Sequence, residues 1–222
     1  MKTETLQFET ANGTTTAFAA MPDKPDSTKT VILVHEWWGL NENIKSVAKR
    51  YADEGFIAVA PDLYRGSVAA NPEEAGKLMK GLAIEDGLNT IAAAMKLARA
   101  EYGTSHFGIS GYCMGGTFAL RAACELEGIS AAAPYYGDIP DESILRKLTV
   151  PVVFVSGIHD KWITPEKVAG LENAAEKFKL PVESLKYDAD HAFSNSTRAG
   201  VYNEEAAEDA WAKVIRFFND NL

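Results

Sequence analysis

Short apolar runs alternate with amphipathic segments along most of the chain. The apolar runs are bounded by Gly, Pro or polar residues and predict strands at TVILVH, FIAVAP, HFGIS, ISAAAPYYG, PVVFVSG and VESLKY. Between them, apolar residues recur at helical spacing and predict helices within 41–55, 72–80, 85–101, 114–127, 165–178 and 203–219. Strands that alternate with helices indicate an α/β fold, with a mostly parallel central sheet flanked by helices on both faces.

The first residues depart from this alternation. The stretch LQFETANGTTTAFAA contains two β-prone runs around Asn12-Gly13, which predicts an N-terminal antiparallel hairpin. A turn around Pro25 and Asp26 should separate it from the first parallel strand. The stretch YRGSVAANPEEAGK, residues 64–77, is the least regular and indicates a loop or flap, and a short extra helix fits between 138 and 148. Without repeats or linker-like segments, we expect one domain over 1–222.

Composition and charge narrow the class of protein. The net charge of −9 and the pI near 5.0 provide no basic surface for nucleic acid or an anionic membrane. The N-terminus lacks an apolar signal region and no segment approaches 18 consecutive apolar residues, so we expect a cytoplasmic protein without nucleic-acid or membrane partners. We expect a monomer or small homo-oligomer. The two cysteines, Cys113 and Cys124, should both be reduced, because eleven helical residues separate them by about 16 Å.

A possible nucleophile lies in the stretch HFGISGYCMGGTFAL, residues 106–120. Cys113 follows an apolar strand and precedes an amphipathic helix, with Gly111 and Gly115 two positions away on either side. A nucleophile elbow needs small residues at those positions, because its sharp turn brings strand and helix close together. The helix N-terminus should favour a thiolate and a developing oxyanion. Alternatively, Cys113 is a small buried core residue, as we expect for Cys124.

A base and an orienting acid follow in the order that such elbows use. Asp160 comes after the strand PVVFVSG, and His191 follows the last strand, VESLKY. Asp160 could instead be a turn residue, although Thr164 before Pro165 is the better helix cap. The competing candidates for the base are the other three histidines, His35, His106 and His159.

An unexpected carboxylate, Glu36, directly follows the buried strand TVILVH. In α/β sheets ligands bind at the carboxyl ends of strands, so Glu36 is a candidate site residue, with a solvated loop charge as the alternative. The zinc motif H-E-x-x-H fails here because position 39 is Gly. The backbone N–H groups of Trp37 and Met114 are candidate oxyanion donors.

Together, Glu36, PDLY at 61–64, GYCMGG at 111–116, Asp160 and DHAF at 190–193 resemble the dienelactone hydrolase family of α/β-hydrolases over nearly the whole chain. The resemblance implies the α/β-hydrolase fold and a triad of Cys113, His191 and Asp160. It implies that Glu36 lies near the resting thiol and helps to generate the thiolate when substrate binds. The implied reaction is hydrolysis of an ester or enol-lactone through a thioester, with no cofactor and no metal.

Two alternatives to this activity stay open. One is a general small-ester esterase or thioesterase, because fold and triad do not determine the acyl group. The other is a redox-responsive protein without turnover, in which Cys113 senses oxidants. The presence of both Asp160 and His191 counts against the loss of activity.

The chain departs from the family where substrate is bound. Family members hold the substrate carboxylate with two arginines, one after the DLY region and one four residues after the histidine. Here the second position is Asn195, and residues 71–80 contain no arginine, which leaves Arg65 or Arg198 as substitutes. Trp37 and Trp38 suggest an apolar or aromatic lining, with core packing as the alternative for one of them. The candidate substrate-binding residues are Trp38, Arg65, Tyr112, Phe193, Asn195 and Arg198.

Overall fold

The computed structural model describes residues 1–23 and 29–222, and within these ranges eight strands and seven helices form. The strands are Lys2–Thr10 (β1), Gly13–Met21 (β2), Thr30–Val34 (β3), Ile57–Pro61 (β4), Phe107–Tyr112 (β5), Ile129–Tyr135 (β6), Val152–Gly157 (β7) and Val182–Tyr187 (β8). The helices are Glu42–Asp53 (α1), Pro72–Gly81 (α2), Ile84–Tyr102 (α3), Met114–Glu125 (α4), Glu142–Leu145 (α5), Pro165–Phe178 (α6) and Glu204–Asn221 (α7).

The described strands form a single sheet in the order β1-β2-β4-β3-β5-β6-β7-β8. From β4 to β8 all neighbours are parallel, whereas β1 pairs antiparallel with β2 and β2 with β4. The predicted hairpin is confirmed: Thr10 pairs with Gly13 across a two-residue loop. Gly13 has φ of 111°, a backbone conformation that side chains other than hydrogen disfavour, which explains a glycine at the start of β2.

Helices cover both faces of the sheet and enclose two apolar cores. One core lies between the sheet and helices α1 and α7, and the other between the sheet and helices α3, α4 and α6. Helix α7 contributes Trp211, Val214, Ile215 and Phe218, which recur at helical spacing and are all buried. Neighbouring residues of β3 alternate between the two cores, so both faces of a central strand must be apolar. This explains the uninterrupted apolar runs in the sequence.

The predicted α/β-hydrolase architecture is confirmed, with each predicted helix and strand present. Helix α1 begins after Asn41, whose side chain accepts a hydrogen bond from the N–H of Ile44 at 3.2 Å. The irregular stretch 64–77 becomes helical at Pro72, where Asn71 caps α2, and α5 is the short helix expected between 138 and 148. The expected turn at Pro25 and Asp26 lies outside the described residues. Among the described helices, none has the length and hydropathy needed to cross a bilayer.

The sheet topology gathers the predicted site residues at one edge. Glu36 follows β3, Cys113 follows β5, Asp160 follows β7 and His191 follows β8. These strands lie side by side with β6 and run in the same direction, so their carboxyl ends meet. Residues far apart in sequence therefore converge on one site.

Candidate active site

Cys113 occupies the sharp turn between β5 and α4. Its backbone has φ of 55° and ψ of −116°, a strained conformation for a residue with a side chain. Its N–H donates to the carbonyl of Tyr135 at 3.1 Å, which ties the turn to the neighbouring strand β6. The turn therefore projects the side chain away from the sheet, where the cavity described below begins.

The glycines around Cys113 are required by close backbone contacts. A Cβ at Gly111 would collide with the carbonyl of Gly115, and one at Gly115 with the carbonyl of Val34 in β3. A Cβ at Gly116 would collide with the carbonyl of Tyr135. The elbow pattern thus has a direct steric cause, since no larger residue fits without moving a strand.

His191 and Asp160 form a buried hydrogen-bonded pair. Nδ1 of His191 lies 2.6 Å from Oδ2 of Asp160, while Oδ1 accepts hydrogen bonds from the N–H groups of Trp162 at 2.8 Å and Ile163 at 2.9 Å. Burial alone would raise the pKa of Asp160, but the hydrogen bonds from His191 and Ile163 outweigh it and the pKa lies below its ordinary value. Asp160 is therefore a carboxylate that accepts a hydrogen bond from Nδ1–H of His191. Asp160 also organises the turn after β7 through its contacts with Trp162 and Ile163.

The other nitrogen of His191 has no protein partner. Nε2 is buried and has no hydrogen-bond acceptor or donor among the described residues, and His191 lines the same cavity as Cys113. Its ring packs between Tyr136, at 5.0 Å between centroids, and Trp162, at 4.8 Å and edge-on. The hydrogen bond with Asp160 and the aromatic packing on two sides fix the orientation of the ring and leave Nε2 as its one nitrogen without a partner among the described residues.

The three competing histidines have other surroundings. His106 is exposed directly before β5, and the exposed His159 pairs with Asp188 at 2.5 Å. His35 is fully buried; its Nε2 accepts the N–H of Leu63 at 3.1 Å, so Nδ1 carries the proton and donates to the carbonyl of Glu36 at 2.6 Å. Burial lowers the pKa of His35 and keeps it neutral in this structural role.

Glu36 is a buried carboxyl group next to the cysteine. Its Oε2 accepts a hydrogen bond from Nδ2 of Asn195 at 2.7 Å, and its side chain lines the cavity. Burial raises its pKa to about 7, although Asn195 and the positive charge of Arg198 act in the opposite direction. Glu36 can therefore gain or lose a proton near neutral pH.

The thiol of Cys113 is held in its protonated form. Burial, and then the negative charge of Glu36, raise the pKa of Cys113 to about 12, and the N–H of Met114 opposes them only in part. The expectation of an easily formed thiolate at the helix N-terminus is thus not met in the resting state, because desolvation outweighs the helix dipole. The thiol needs a proton acceptor before it can act.

The two candidate oxyanion donors are the N–H groups of Met114, the first residue of α4, and of Trp37, in the turn after β3. The N–H of Met114 is directed at the Cys113 sulfur, and the N–H of Trp37 has no acceptor among the residues described. The carbonyl of Glu36, in the same peptide group as that N–H, is bound by His35 and by the N–H of Gly39. Because N–H and C=O point in opposite directions in a trans peptide, these bonds fix the direction of the Trp37 N–H as well.

A cavity of about 610 Å³ opens in front of these groups. Of the predicted site residues, six line it: Glu36, Trp37, Cys113, Met114, His191 and Arg198. Asp160 does not line the cavity and is linked to it through its hydrogen bond with His191. Within the described residues, no group of three or more His, Cys, Asp or Glu side chains is arranged to hold a metal ion.

Five predicted substrate-binding residues do not line this cavity. Arg65 is held by both carboxylate oxygens of Asp86, at 2.7 and 3.1 Å, and Trp38 packs edge-on against Trp37. Tyr112 and Phe193 are buried in the aromatic part of the core. Asn195 is buried, and its Nδ2 donates a hydrogen bond to Glu36.

The cavity also contains residues that the sequence prediction missed. The turn after Asp160 supplies Lys161, Trp162 and Ile163, and the junction of α2 and α3 supplies Met79 at the end of α2, Leu82 in the turn and Ile84 at the start of α3. Position next to Asp160 was a usable signal for the first group. The second group adjoins the site only through the packing of α3 on α4, where Gly87 contacts the ring of Phe118.

The sheet order, the elbow and the oriented histidine define the class of protein: the chain is an α/β-hydrolase. The sequence profile of the Dienelactone hydrolase family matches residues 15–222. The chain belongs to this family and is a hydrolase of the ester or lactone type.

Individual relatives agree with this membership. A protein from Aquifex aeolicus that is provisionally named a carboxymethylenebutenolidase is 34% identical over 205 residues, covering 86% of this chain and 88% of the relative. One from Saccharolobus solfataricus with the same provisional name is 32% identical and covers 90% and 92%. The crystal structure of a provisionally named dienelactone hydrolase from Klebsiella pneumoniae is 26% identical, with a TM-score of 0.90 and 99% coverage of both chains.

Proposed function

We propose that this chain hydrolyses a carboxylic ester or enol-lactone through a thioester on Cys113. The observation that carries the proposal is the unpartnered Nε2 of His191, oriented by Asp160 and lining the same cavity as Cys113. A nucleophile beside an oriented base is the arrangement that acyl transfer requires.

In the first step Glu36 accepts the proton of the Cys113 thiol and the sulfur attacks the carbonyl carbon of the substrate. Glu36 suits this role because its pKa of about 7 lies near neutral pH and its charge acts on the thiol. The carbonyl π-electrons move to the oxygen, which the N–H groups of Trp37 and Met114 stabilise. The resulting tetrahedral intermediate carries a single negative charge.

In the second step the intermediate collapses and the carbon–oxygen bond to the leaving group breaks. The leaving oxygen takes a proton, for which His191 is the proposed donor at Nε2, having first received that proton from Glu36 or solvent. Water then attacks the thioester while Nε2 accepts a proton from it. The carbon–sulfur bond breaks, the sulfur regains a proton and the acid product leaves.

The cavity contains two positive charges that suit a substrate with a carboxylate. Lys161 and Arg198 both line it, and neither forms an ion pair with the residues described. Arg198 is also close enough to lower the pKa of Glu36. We propose that Arg198 replaces the family's arginine clamp, with Lys161 as a second cation, since Arg65 is engaged by Asp86.

The test is hydrolysis of p-nitrophenyl acetate and of a cis-dienelactone by the wild type, Cys113→Ala and Cys113→Ser. We expect no turnover by Cys113→Ala and reduced turnover by Cys113→Ser. Cys124→Ala is the matched control, because Cys124 lies in α4, the helix that follows Cys113, but outside the cavity, and it should retain activity. Full activity of Cys113→Ala would disprove the proposal.

A further inference from the structure

The exposed apolar side chains of this protein concentrate at the cavity. Among the described residues, the large hydrophobic side chains with substantial exposure are Met1, Val68, Met79, Ile84, Ile158 and Trp162. Three of the six line the cavity, namely Met79, Ile84 and Trp162. Isolated exposed hydrophobic residues are ordinary, but a cluster at one cleft indicates a binding surface.

The apolar lining comes from three parts of the chain. Met79 at the end of α2, Leu82 in the α2–α3 turn and Ile84 at the start of α3 form one wall, and the turn after β7 adds Trp162 and Ile163. Met114 and Phe118 of α4 also line the cavity. At about 610 Å³, the cavity lies in the range of roughly 300–1,000 Å³ that accommodates drug-sized ligands, which is larger than an acetyl ester needs.

Trp162 links this cleft to the proposed reaction centre. Its backbone N–H is fixed by Asp160, and its ring stands edge-on to His191 at 4.8 Å, yet 60% of the residue is exposed. The backbone of Trp162 is thus held in place while its indole ring stays accessible beside His191, the proposed proton-transfer residue. A ligand chain that covered this face would gain contact area at little entropic cost to the protein.

We propose that this apolar cleft binds an aliphatic chain or aryl group of the substrate, and that Trp162 sets the preference for it. This inference rests on the proposed function, since it names the kind of ester that the same site accepts. The apolar group can belong to the acyl or to the alcohol part of the ester, and the experiment separates the two.

The experiment measures kcat/KM in two series at constant chemistry. The acyl series is ethyl acetate, ethyl butyrate and ethyl hexanoate, and the alcohol series is ethyl acetate, butyl acetate and hexyl acetate. Hydrolysis is measured by titration of the acid released. In the arm whose chain enters the cleft, kcat/KM should rise about three- to fourfold per methylene, as expected for burial of a CH₂ group. A flat response in both arms would overturn the inference.

Variants assign the effect to the cleft. The quantity compared is kcat/KM for the longer ester, hexyl acetate or ethyl hexanoate, divided by kcat/KM for ethyl acetate. Trp162→Ala and, independently, Met79→Ala should each lower this ratio by about tenfold. Ile158→Ala is the matched control, because Ile158 is exposed on the same loop but does not line the cavity, and it should leave the ratio unchanged. An unchanged ratio in both cleft variants would contradict the assignment, whatever their absolute rates.

A binding measurement separates this inference from the reaction. Calorimetric titration of Cys113→Ala with hexanamide and acetamide requires no turnover, and hexanamide should bind at least tenfold more tightly. If no ester is hydrolysed but this difference is found and Trp162→Ala removes it, the proposed function fails and the cleft stands. If esters are hydrolysed but neither chain length nor Trp162 has an effect on rate or binding, the cleft fails alone.

Discussion

Glu36→Gln should make the protein more stable at neutral and alkaline pH. Glu36 is buried, with 2% of its surface exposed, and burial raises its pKa to about 7 from an ordinary value of 4.5. The variant keeps an oxygen that can accept the hydrogen bond from Asn195 but carries no charge at any pH. It thereby removes the cost of a buried carboxylate and little else.

The sign and size of this change in the free energy of unfolding follow from the pKa values of Glu36 in the folded and unfolded chains. Below about pH 4.5 Glu36 is protonated in both the folded and the unfolded chain, so its ionisation does not lower the free energy of unfolding. As pH rises from 4.5 to 7 only the unfolded chain loses its proton, so the free energy of unfolding falls, and above 7 the loss is constant. The pKa values differ by about 2.5, which at 1.36 kcal/mol per pKa unit amounts to about 3 kcal/mol.

Urea unfolding of wild type and variant at pH 5, 6, 7 and 8 measures this difference directly. The variant should gain less than about 1 kcal/mol at pH 5 and about 3 kcal/mol at pH 8. Glu127→Gln is the control, since Glu127 is exposed in a loop, and it should show no such trend. A gain that does not change with pH, or a variant less stable than wild type at pH 8, would refute the reasoning.

Three further predictions concern the site. Glu36→Gln should speed alkylation of Cys113 by iodoacetamide at pH 8, because it removes the charge that raises the thiol pKa. It should slow ester hydrolysis, because it also removes the proposed proton acceptor. An unchanged alkylation rate would show that the carboxylate does not act on the thiol. Asp160→Asn should lower kcat for p-nitrophenyl acetate by about 10²- to 10⁴-fold through loss of the His191 tautomer, and a loss below threefold would contradict the pairing. In thermal or urea unfolding, Gly115→Ala should lower the free energy of unfolding by about 3 kcal/mol or more, because its Cβ meets the carbonyl of Val34. Gly170→Ala, in open space on α6, should raise the free energy of unfolding by about 0.5–1 kcal/mol. Equal effects of the two substitutions would mean that the elbow can relax.

The sequence was most informative where local pattern and sheet topology agree. The strand β7 and the residue Asp160 could be placed because an apolar run ends in a turn, and the parallel sheet then brings that end beside Cys113 and His191. Gly115 could be identified because backbone contact at the elbow admits no side chain. Such constraints act over a few residues or along one strand, and a single sequence records them.

The site features that the sequence predicted wrongly, or not at all, share a different cause. Arg65 was a candidate clamp, but an ion pair with Asp86, which lies in another element, holds it outside the cavity. The cleft wall at Met79 depends on how α2 and α3 pack over α4, which apolar periodicity does not determine. The direction of the Cys113 pKa was also missed, because it depends on the balance between burial and a helix N-terminus, and burial is known only from the fold.

The electrostatics of the site bear on the choice between catalyst and redox sensor. A sensor cysteine needs a stabilised, accessible thiolate, because the thiolate is the form that oxidants attack. Here burial and Glu36 hold the thiol protonated in the resting protein, while the same Glu36, with a pKa of about 7, is available as a proton acceptor once a substrate displaces water. A small oxidant carries no apolar group for the cleft that we propose at Trp162, whereas an ester with an aliphatic or aryl group does. The arrangement therefore favours a thiol that reacts with a bound carbonyl over one that reacts with a diffusing oxidant.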